Sequence, residues 1–283
     1  MIFKDYLRTA RPHHYIKNLF VLAPIIFAKY FYDLNNVIAV LLTFIAFSFA
    51  ASAIYFLNDT FDRHADKLHA EKKHRPIAAG RISAGQAVTA SGLLAALACG
   101  VSFFLINTAT GIIVAFYLLI NMLYSWKFKH VVIIDVFIIA FGFVLRLSAG
   151  GTAIEASISE WILLCVISLS LFLGLAKRRE EYMSTDFSAG DNVRQVLAHY
   201  DKQFLDQMIA IIASVTIVSY SLYTILNDQY SHLLYTIPIV IYGIFRYLFI
   251  IYKKRGGVEL RPGRFRRSPL YFSSQNPGCK SLL

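Results

Sequence analysis

Long apolar runs separated by short polar loops dominate the chain. Eight such runs can be distinguished, at about residues 18–32, 37–57, 86–106, 111–126, 131–149, 161–176, 204–226 and 231–252. Each is long enough, or nearly so, to cross the apolar part of a bilayer as a helix. The pattern predicts an all-α, polytopic membrane helix bundle with eight transmembrane helices. The first run is the weakest because Pro24 interrupts it, although neighbouring helices can compensate for a proline within a membrane.

Composition supports this interpretation. The 283 residues are 57% hydrophobic and only 16% charged, with a mean hydropathy of +0.55, whereas a soluble domain carries about 25% charged residues. We expect one transmembrane domain over residues 1–255 and a basic, non-spanning tail over 256–283. Cys99, Cys165 and Cys279 lack a C-x-x-C spacing and predict free thiols. No signal peptide is expected, because a polar stretch precedes the first apolar run and no small-x-small cleavage site follows.

The basic residues lie almost entirely on one side of the predicted bundle. Of the 28 lysines and arginines, all except Lys29, Arg146 and Arg246 fall in the N-terminal stretch, in alternate loops and in the tail. This asymmetry follows the positive-inside rule and places the N-terminus, the basic loops and the tail in the cytoplasm. Topology therefore explains the net charge of +11, and no nucleic-acid partner is expected. We predict a multi-pass protein of the cell membrane whose active site faces the cytoplasm.

A cluster of acids opens the loop after the second apolar run. Asn58, Asp62 and Asp66 recur every four residues and share one face if the segment is helical, with Asp59 close to that face. Oxygen ligands crowded at a membrane boundary are costly to leave unpaired. Mg²⁺ commonly links one or two carboxylates to the phosphates of a substrate. We predict a magnesium–phosphate site here, in preference to a solvated helix end whose acids pair with Lys and Arg.

Basic and polar residues near these acids are candidates for phosphate binding. Lys73 and Arg75 follow in the same loop, and their cationic groups complement phosphate oxygens. The fourth run ends on the same side with Tyr124, Lys127 and Lys129. Asp135 then opens the fifth run, and an interfacial aromatic belt with flanking lysines is an equal alternative to a second phosphate site there. Arg146 forms either a polar wall within the bundle or a side chain that extends towards the outer face.

The pattern Asn58-Asp59-x-x-Asp62-x-x-x-Asp66, followed by an Arg-Pro-Ile stretch, resembles the first signature of the UbiA-type superfamily of intramembrane transferases. Other stretches are similar to one branch of it, the polyprenyl-phosphate phosphoribosyltransferases. These stretches are residues 11–21, Tyr124-Ser125 with Lys127 and Lys129, Asp135, Leu145-Arg146 with Ala149-Gly150, and residues 176–179. The resemblance covers about residues 8–255.

The resemblance implies a Mg²⁺-dependent bundle of nine helices around a lipid-accessible cleft that opens to the cytoplasm. It also implies transfer of a 5-phosphoribosyl group from phosphoribosyl pyrophosphate to a long-chain polyprenyl phosphate, with release of pyrophosphate. Asn58, Asp59, Asp62 and Asp66 would hold Mg²⁺, and the three aspartates would be catalytic. The implied phosphate- and substrate-binding residues are Lys17, Asn18, Lys73, Arg75, Tyr124, Lys127, Lys129, Asp135, Arg146, Lys177 and Arg178. A homo-oligomer remains open.

The loop after the sixth run favours phosphoribosyl transfer over its nearest alternative, an isoprenyl diphosphate-dependent prenyltransferase with an aromatic acceptor. Members that transfer an isoprenyl group typically carry a second motif, D-x-x-x-D, in this loop. Here Lys177, Arg178 and Arg179 are followed by Glu180 and Glu181, which do not form that spacing. Basic residues suit the two phosphate monoesters of the phosphoribosyl reaction. An ion-coupled transporter is less favoured, because transporters place such residues near the midplane between paired repeats.

The C-terminal tail departs from the family pattern. A ninth apolar helix is expected after Arg255, whereas the chain continues with a basic and polar stretch. Such a stretch could bind anionic lipid at the cytoplasmic surface.

Overall fold

The computed structural model describes residues 2–69, 71–184, 195–226 and 233–253, which form helices and no strands. The α-helices in chain order are α1 (Ile2–Ala10), α2 (Ala23–Phe27), α3 (Leu34–Phe61), α4 (Arg63–Leu68), α5 (Ala84–Leu105), α6 (Thr108–Trp126), α7 (Ile134–Ala153), α8 (Glu160–Ser184), α9 (Lys202–Leu226) and α10 (Ile237–Lys253). Short 3₁₀ helices occur at Pro12–Leu22, Tyr30–Tyr32, Lys72–His74, Phe128–His130 and Gln195–His199. The predicted all-α class is confirmed.

Seven helices within the described ranges are long and apolar enough to cross a membrane: α3, α5 to α9, and the stretch Leu233–Lys253 that contains α10. They correspond to the second to eighth apolar runs. The first run is not the continuous helix that was expected. It is divided among Pro12–Leu22, α2 and Tyr30–Tyr32, because Pro24 lacks a backbone N–H and Lys29 adopts a left-handed conformation with φ 58°. The total of eight spans and the cytoplasmic N-terminus stay predictions.

The N-terminal 3₁₀ segment Pro12–Leu22 lies antiparallel along one face of α3. Polar residues of α3 recur there at intervals of four, three and four positions, which a helix places on one face. Hydrogen bonds join the two segments in the pairs Asn18–Ser48 (3.1 Å), Tyr15–Ser52 (2.8 Å), His14–Tyr55 (3.0 Å) and Arg11–Asp59 (2.6 Å). Because apolar side chains gain little by association within lipid, such hydrogen bonds help to fix the position of the segment.

The core of the bundle surrounds α3. Helices α5, α6 and α7 pack against it, α8 packs on α7, and α9 and α10 follow outward. Val21, Phe47 and Ala149 are among its fully buried side chains. Gly150 allows α7 to approach the 3₁₀ segment, since a Cβ at this position would lie 2.1 Å from the carbonyl oxygen of Val21. The close approach brings the polar residues of the segment next to those of α7.

Charged side chains gather at one end of the bundle, which we call the charged end. It contains the ends of α3, α6 and α8 and the beginnings of α5, α7 and α9. Ion pairs link α8 to α7 and α9, and the turn after α6 to the end of α3. At the opposite end, the contacts between α6 and α7 are uncharged: Asn107 donates to the Thr152 carbonyl at 2.8 Å. The predictions for residues 256–283, and for a ninth helix after Arg255, concern residues outside the described ranges.

Candidate active site

The signature aspartates lie where α3 meets α4. The helical turn continues across the junction, because the backbone N–H of Asp62 donates to the Asn58 carbonyl at 2.9 Å and that of Asp66 to the Asp62 carbonyl at 2.8 Å. Asp59, Asp62 and Asp66 each form an ion pair, and their basic partners are Arg11, Arg75 and Lys129. We call these six residues the acid–base cluster.

Asp59 and Asp66 converge on one guanidinium. The Nη1 atom of Arg75 lies 3.1 Å from Asp59 Oδ1 and 2.8 Å from Asp66 Oδ2. Both carboxylates are buried, with 2% and 4% of their surface exposed. Asp59 and Asp66 are seven residues apart and so share a helix face, which brings both carboxylates to this guanidinium.

Asp62 faces a different neighbour. Asn58 Nδ2 donates to Asp62 Oδ2 at 3.1 Å, and the buried Lys129 ammonium forms an ion pair with Asp62 Oδ1. Lys129 belongs to the 3₁₀ turn Phe128–His130, which connects α6 to α7. The predicted nearness of Asn58 to Asp62 is therefore seen in the structure, and Lys129 extends the cluster across to the end of α6.

The loop after α4 holds Arg75 in place. Arg75 has the extended conformation, φ −62° and ψ 141°, that a following proline favours. Pro76 then starts a tight turn, closed by a hydrogen bond from Arg81 N to the Pro76 carbonyl at 2.9 Å. Gly80 supplies the left-handed residue of this turn with φ 76°, and Ile77 is buried against Phe56. The sequence-predicted turn is thus present, and it directs Arg75 towards the acids.

Arg11 is part of the cluster, although the sequence patterns did not mark it as a site residue. Its Nη2 atom donates to Asp59 Oδ1 at 2.6 Å, and its guanidinium lies 4.9 Å from the centre of the Tyr55 ring. Arg11 takes a left-handed conformation with φ 54° at the junction of α1 and the 3₁₀ segment. The available signal was the Arg-Pro pair at 11–12, because a residue before proline is pushed out of the right-handed helical region.

Arg146 lies inside the bundle and forms the predicted polar wall. Its three nitrogens donate to Asn18 Oδ1 (2.8 Å), the Gly142 carbonyl (2.7 Å) and the Tyr117 hydroxyl (2.9 Å). The guanidinium also lies 4.8 Å from the centre of the Tyr117 ring. Asn18, a predicted site residue, bridges Arg146 to Ser48 of α3. No acid of the described chain forms an ion pair with Arg146, as the partners above are all uncharged.

Lys17 and His14 lie in a positively charged environment. Partial burial, together with the charges of Lys177, Arg146 and Arg11, lowers the pKa of the Lys17 ammonium, which still has exposed surface. Burial and nearby cations lower the pKa of His14 to about 4, so His14 is neutral at pH 7.

Asp135 and Arg178, two predicted substrate-binding residues, contact each other in the interior. Arg178 Nε donates to Asp135 Oδ2 at 2.6 Å, and its Nη1 atom lies 2.6 Å from Glu181 Oε2. The Tyr200 hydroxyl donates to Asp135 Oδ1 at 2.9 Å and accepts from the Ile133 N–H at 2.8 Å. This network joins α7, α8 and the segment just before α9. It favours a structural role for the pair over direct contact with a substrate.

Three other predicted residues lie outside these groups. Lys73, in the 3₁₀ turn Lys72–His74, and Lys127, at the end of α6, are exposed. Tyr124 is half-buried near Arg178. Their predicted contact with phosphate stays a prediction.

The acid–base cluster fits Mg²⁺ in one particular way. The described residues contain no group of three or more His, Cys, Asp or Glu side chains arranged to hold a metal ion. They do provide hard oxygen donors from buried Asp59 and Asp66, and from Asp62 beside Asn58. Mg²⁺ usually takes one or two carboxylates and completes its shell with water and substrate phosphates. The donors therefore fit a metal that binds together with a diphosphate rather than within an all-protein cage.

The fold and the site define a polytopic membrane protein with a charged, partly buried polar site at one end of its helix bundle. The chain belongs to the UbiA prenyltransferase family, whose model matches residues 21–263. It is 34% identical to the decaprenyl-phosphate phosphoribosyltransferase of Mycolicibacterium smegmatis over 232 residues, which is 81% of this chain and 72% of that protein. It is 33% identical to the protein of the same name from Corynebacterium glutamicum, over 80% of this chain and 68% of the relative.

A solved structure supports the same fold. The chain is similar to a UbiA homolog from Archaeoglobus fulgidus bound to GPP and Mg²⁺, with a TM-score of 0.74, 20% identity and 90% coverage of both chains. At this identity the likeness concerns the fold. The expected family membership is confirmed.

Proposed function

We propose that this protein transfers a 5-phosphoribosyl group from phosphoribosyl pyrophosphate to a polyprenyl phosphate at the cytoplasmic face of the membrane, and releases pyrophosphate. The observation that carries this proposal is the 34% identity to a decaprenyl-phosphate phosphoribosyltransferase along 81% of the chain. The charges of the site support it. The reaction must hold one diphosphate and two phosphate monoesters, and the protein offers the acid–base cluster at the charged end together with further cations at Lys17, Arg146 and Lys177.

The acid–base cluster would bind the diphosphate. Mg²⁺ held by Asp59, Asp62 and Asp66 with Asn58 would offset the negative charge that develops on the departing pyrophosphate. Arg11, Arg75 and Lys129 are the nearest bases, and would donate charge-assisted hydrogen bonds to the phosphate oxygens. These are the residues that now neutralise the aspartates, so a bound diphosphate would exchange one set of anionic partners for another.

The acceptor needs little chemical activation. A phosphate monoester is ionised near neutral pH, so its oxygen can attack the ribose C1 without a strong general base. The residues of the site then contribute mainly by holding the ribose C1 of the donor and the phosphate oxygen of the acceptor close together in a reactive orientation. The apolar outer surfaces of the helices would accommodate the polyprenyl chain, which keeps its phosphate at the charged end.

The test uses purified protein in detergent with Mg²⁺, labelled phosphoribosyl pyrophosphate and a polyprenyl phosphate. We expect label to move into the organic phase at a rate that Asp62→Asn lowers by about 100-fold, the usual effect of removing one electrostatic element. Glu155→Gln is the matched control, because Glu155 is exposed and lies beyond the opposite end of α7. A folded wild-type sample that transfers no label to any polyprenyl phosphate contradicts the proposal.

The same sample also tests isoprenyl transfer. Consumption of an isoprenyl diphosphate with an aromatic acceptor, without any use of phosphoribosyl pyrophosphate, would assign the protein to the prenyl-transferring members of its family.

A further inference from the structure

Helix α1 is amphipathic, and the bundle covers only part of its apolar face. Phe3, Tyr6, Leu7 and Ala10 are spaced by three, one and three positions, which places all four on one face of a helix. Tyr6 and Ala10 pack against the buried cluster at the end of α3, whereas Phe3 is 76% and Leu7 45% exposed. One part of the apolar face is therefore used by the fold, and the part with Phe3 and Leu7 is left uncovered.

Two basic residues border this uncovered part. Lys4 and Arg8 each follow one of the exposed apolar residues in the chain, are exposed themselves and lie four positions apart, so they form a row along the helix. Neither forms an ion pair within the described ranges of the chain. Asp5, the acid of α1, pairs instead with Arg81 at 3.0 Å. The uncovered side thus combines apolar side chains with a net positive charge.

Helix α1 lies level with the last turns of a membrane-spanning helix. The centre of the Tyr6 ring is 5.8 Å from that of Phe56, which lies in the last two turns of α3. Arg11 follows directly after α1 and pairs with Asp59 of the acid–base cluster. These contacts place α1 at the charged end of the bundle, at the depth where lipid headgroups surround the ends of spanning helices.

A lipid surface suits the uncovered side better than water does. A helix with Phe and Leu on one face and bases beside them binds at a membrane interface, with its apolar side chains among the acyl chains and its bases at anionic headgroups. The outer surface of α5 is near, because Ala87 belongs to the same buried cluster as Tyr6 and the next residue, Val88, is exposed. A second copy of the chain fits less well, since two-fold symmetry would bring the same basic row to both sides of the contact.

We propose that α1 binds the surface of an anionic lipid bilayer, with Phe3 and Leu7 among the acyl chains and Lys4 and Arg8 at the headgroup phosphates. This inference does not depend on the proposed transferase reaction, because it involves neither a substrate nor the acid–base cluster.

Spin labels measure the depth of α1 in the whole protein, reconstituted in lipid nanodiscs. A nitroxide is attached at Phe3→Cys or Leu7→Cys, and Lys67→Cys is the matched control, because Lys67 is exposed on α4 at the same end. The labelled chain has serine in place of its natural cysteines, Cys99, Cys165 and Cys279. Collisions are recorded with oxygen, which concentrates among acyl chains, and with a neutral nickel chelate, which stays in water. Discs of phosphatidylcholine alone are compared with discs that also contain phosphatidylglycerol.

We expect the labels at positions 3 and 7 to collide more with oxygen than with the chelate, and the label at position 67 to do the opposite. Phosphatidylglycerol should lower the chelate collisions at position 7 by about threefold, because bases near an anionic surface strengthen its binding. The double variant Lys4→Gln with Arg8→Gln should lose this response, and Lys67→Gln should keep it. Thermal unfolding verifies that each variant is folded.

Three results would overturn the proposal. Chelate collisions at positions 3 and 7 as frequent as those at position 67 would place the uncovered side in water. Dipolar broadening between labels at position 3 would show that a second copy of the chain covers it. Immersion that neither phosphatidylglycerol nor the double variant changes would exclude Lys4 and Arg8 from the contact.

Discussion

Asp59 shares its carboxylate between Arg11 and Arg75, which come from the N-terminal segment and the loop after α4. A metal ion must compete with these guanidinium groups for the same oxygens. Binding of the metal ion becomes more favourable when a diphosphate binds with it, because the phosphate oxygens become new hydrogen-bond partners for the arginines. At the scale of single residues, we therefore expect the acids and bases to couple metal binding to binding of the diphosphate.

This coupling predicts opposite effects of one substitution. In Arg75→Gln, Asp66 loses its ion-pair partner, so Mg²⁺ alone should bind several-fold more tightly by Coulomb attraction. Pyrophosphate in the presence of Mg²⁺ should bind about tenfold more weakly, since a charged donor is lost. Calorimetric titrations measure both constants. Lys67→Gln is the control, because Lys67 is exposed on α4; loss of both affinities in Arg75→Gln would contradict the coupling.

His14 gives the protein a pH dependence of known sign. Its folded pKa is about 4, below the ordinary 6.5, so the unfolded chain binds more protons between these values and stability falls as pH decreases through that window. The groups that face it are His13, Lys17, Tyr55, Arg11 and Lys177. We expect the Tm in detergent to fall between pH 7 and pH 5, and to fall less in His14→Gln. An identical slope in the variant would locate the dependence elsewhere.

At the scale of elements, the buried pair of Asp135 and Arg178 joins α7 to α8, and Tyr200 adds the segment just before α9. All three side chains are nearly inaccessible. Ile133, whose N–H donates to Tyr200, has a left-handed conformation with φ 70°, which is unusual for a β-branched residue. The network holds this backbone in place and sets where α7 begins.

Breaking this pair should destabilise the fold. Asp135→Ala leaves Arg178 buried with Glu181 as its remaining acid, and should lower the free energy of unfolding by about 3–5 kcal/mol. The double variant Asp135→Leu with Arg178→Met removes both charges and should recover much of this loss. Thermal unfolding in detergent measures both. If Asp135→Ala instead unfolds like wild type and weakens substrate binding, Asp135 acts as the second phosphate site that the sequence had suggested.

At the scale of the whole molecule, the two ends of the bundle differ in charge. The charged end carries the ion pairs of α3, α6, α7 and α8, whereas Asn107, Thr110 and Thr152 form uncharged hydrogen bonds at the other. The positive-inside rule predicts that the charged end faces the cytoplasm. The proposed soluble donor, phosphoribosyl pyrophosphate, would then reach the site from that side.

Labelling in intact cells tests this orientation. In a chain with Cys99, Cys165 and Cys279 replaced by Ser, Glu155→Cys should react with a membrane-impermeant maleimide without permeabilisation. Lys67→Cys should react only after the membrane has been permeabilised, because Lys67 lies at the charged end. The reversed pattern would invert the topology.

The apolar runs predicted the seven long helices of the described ranges. A helix that crosses the lipid needs about 20 apolar residues regardless of which helices pack against it. The spacing of the signature aspartates likewise predicted an acidic site at the end of α3. The sequence indicated that Pro24 interrupts the first run, but not the left-handed residue at Lys29, nor that Arg11 joins the site. The place of Arg11 depends on its contact with Asp59 of α3, which lies 48 residues away in the chain.

Local pattern alone thus determined the helical class, the charge asymmetry and the place of the aspartates, since hydropathy and helix periodicity are properties of short stretches. Only the tertiary structure decided which charges neutralise one another. It paired Arg178 with Asp135 and Arg75 with Asp59 and Asp66, but left Arg146 among uncharged partners. Electrostatic energy depends on distance in space, and the packing of α3, α7 and α8 sets those distances.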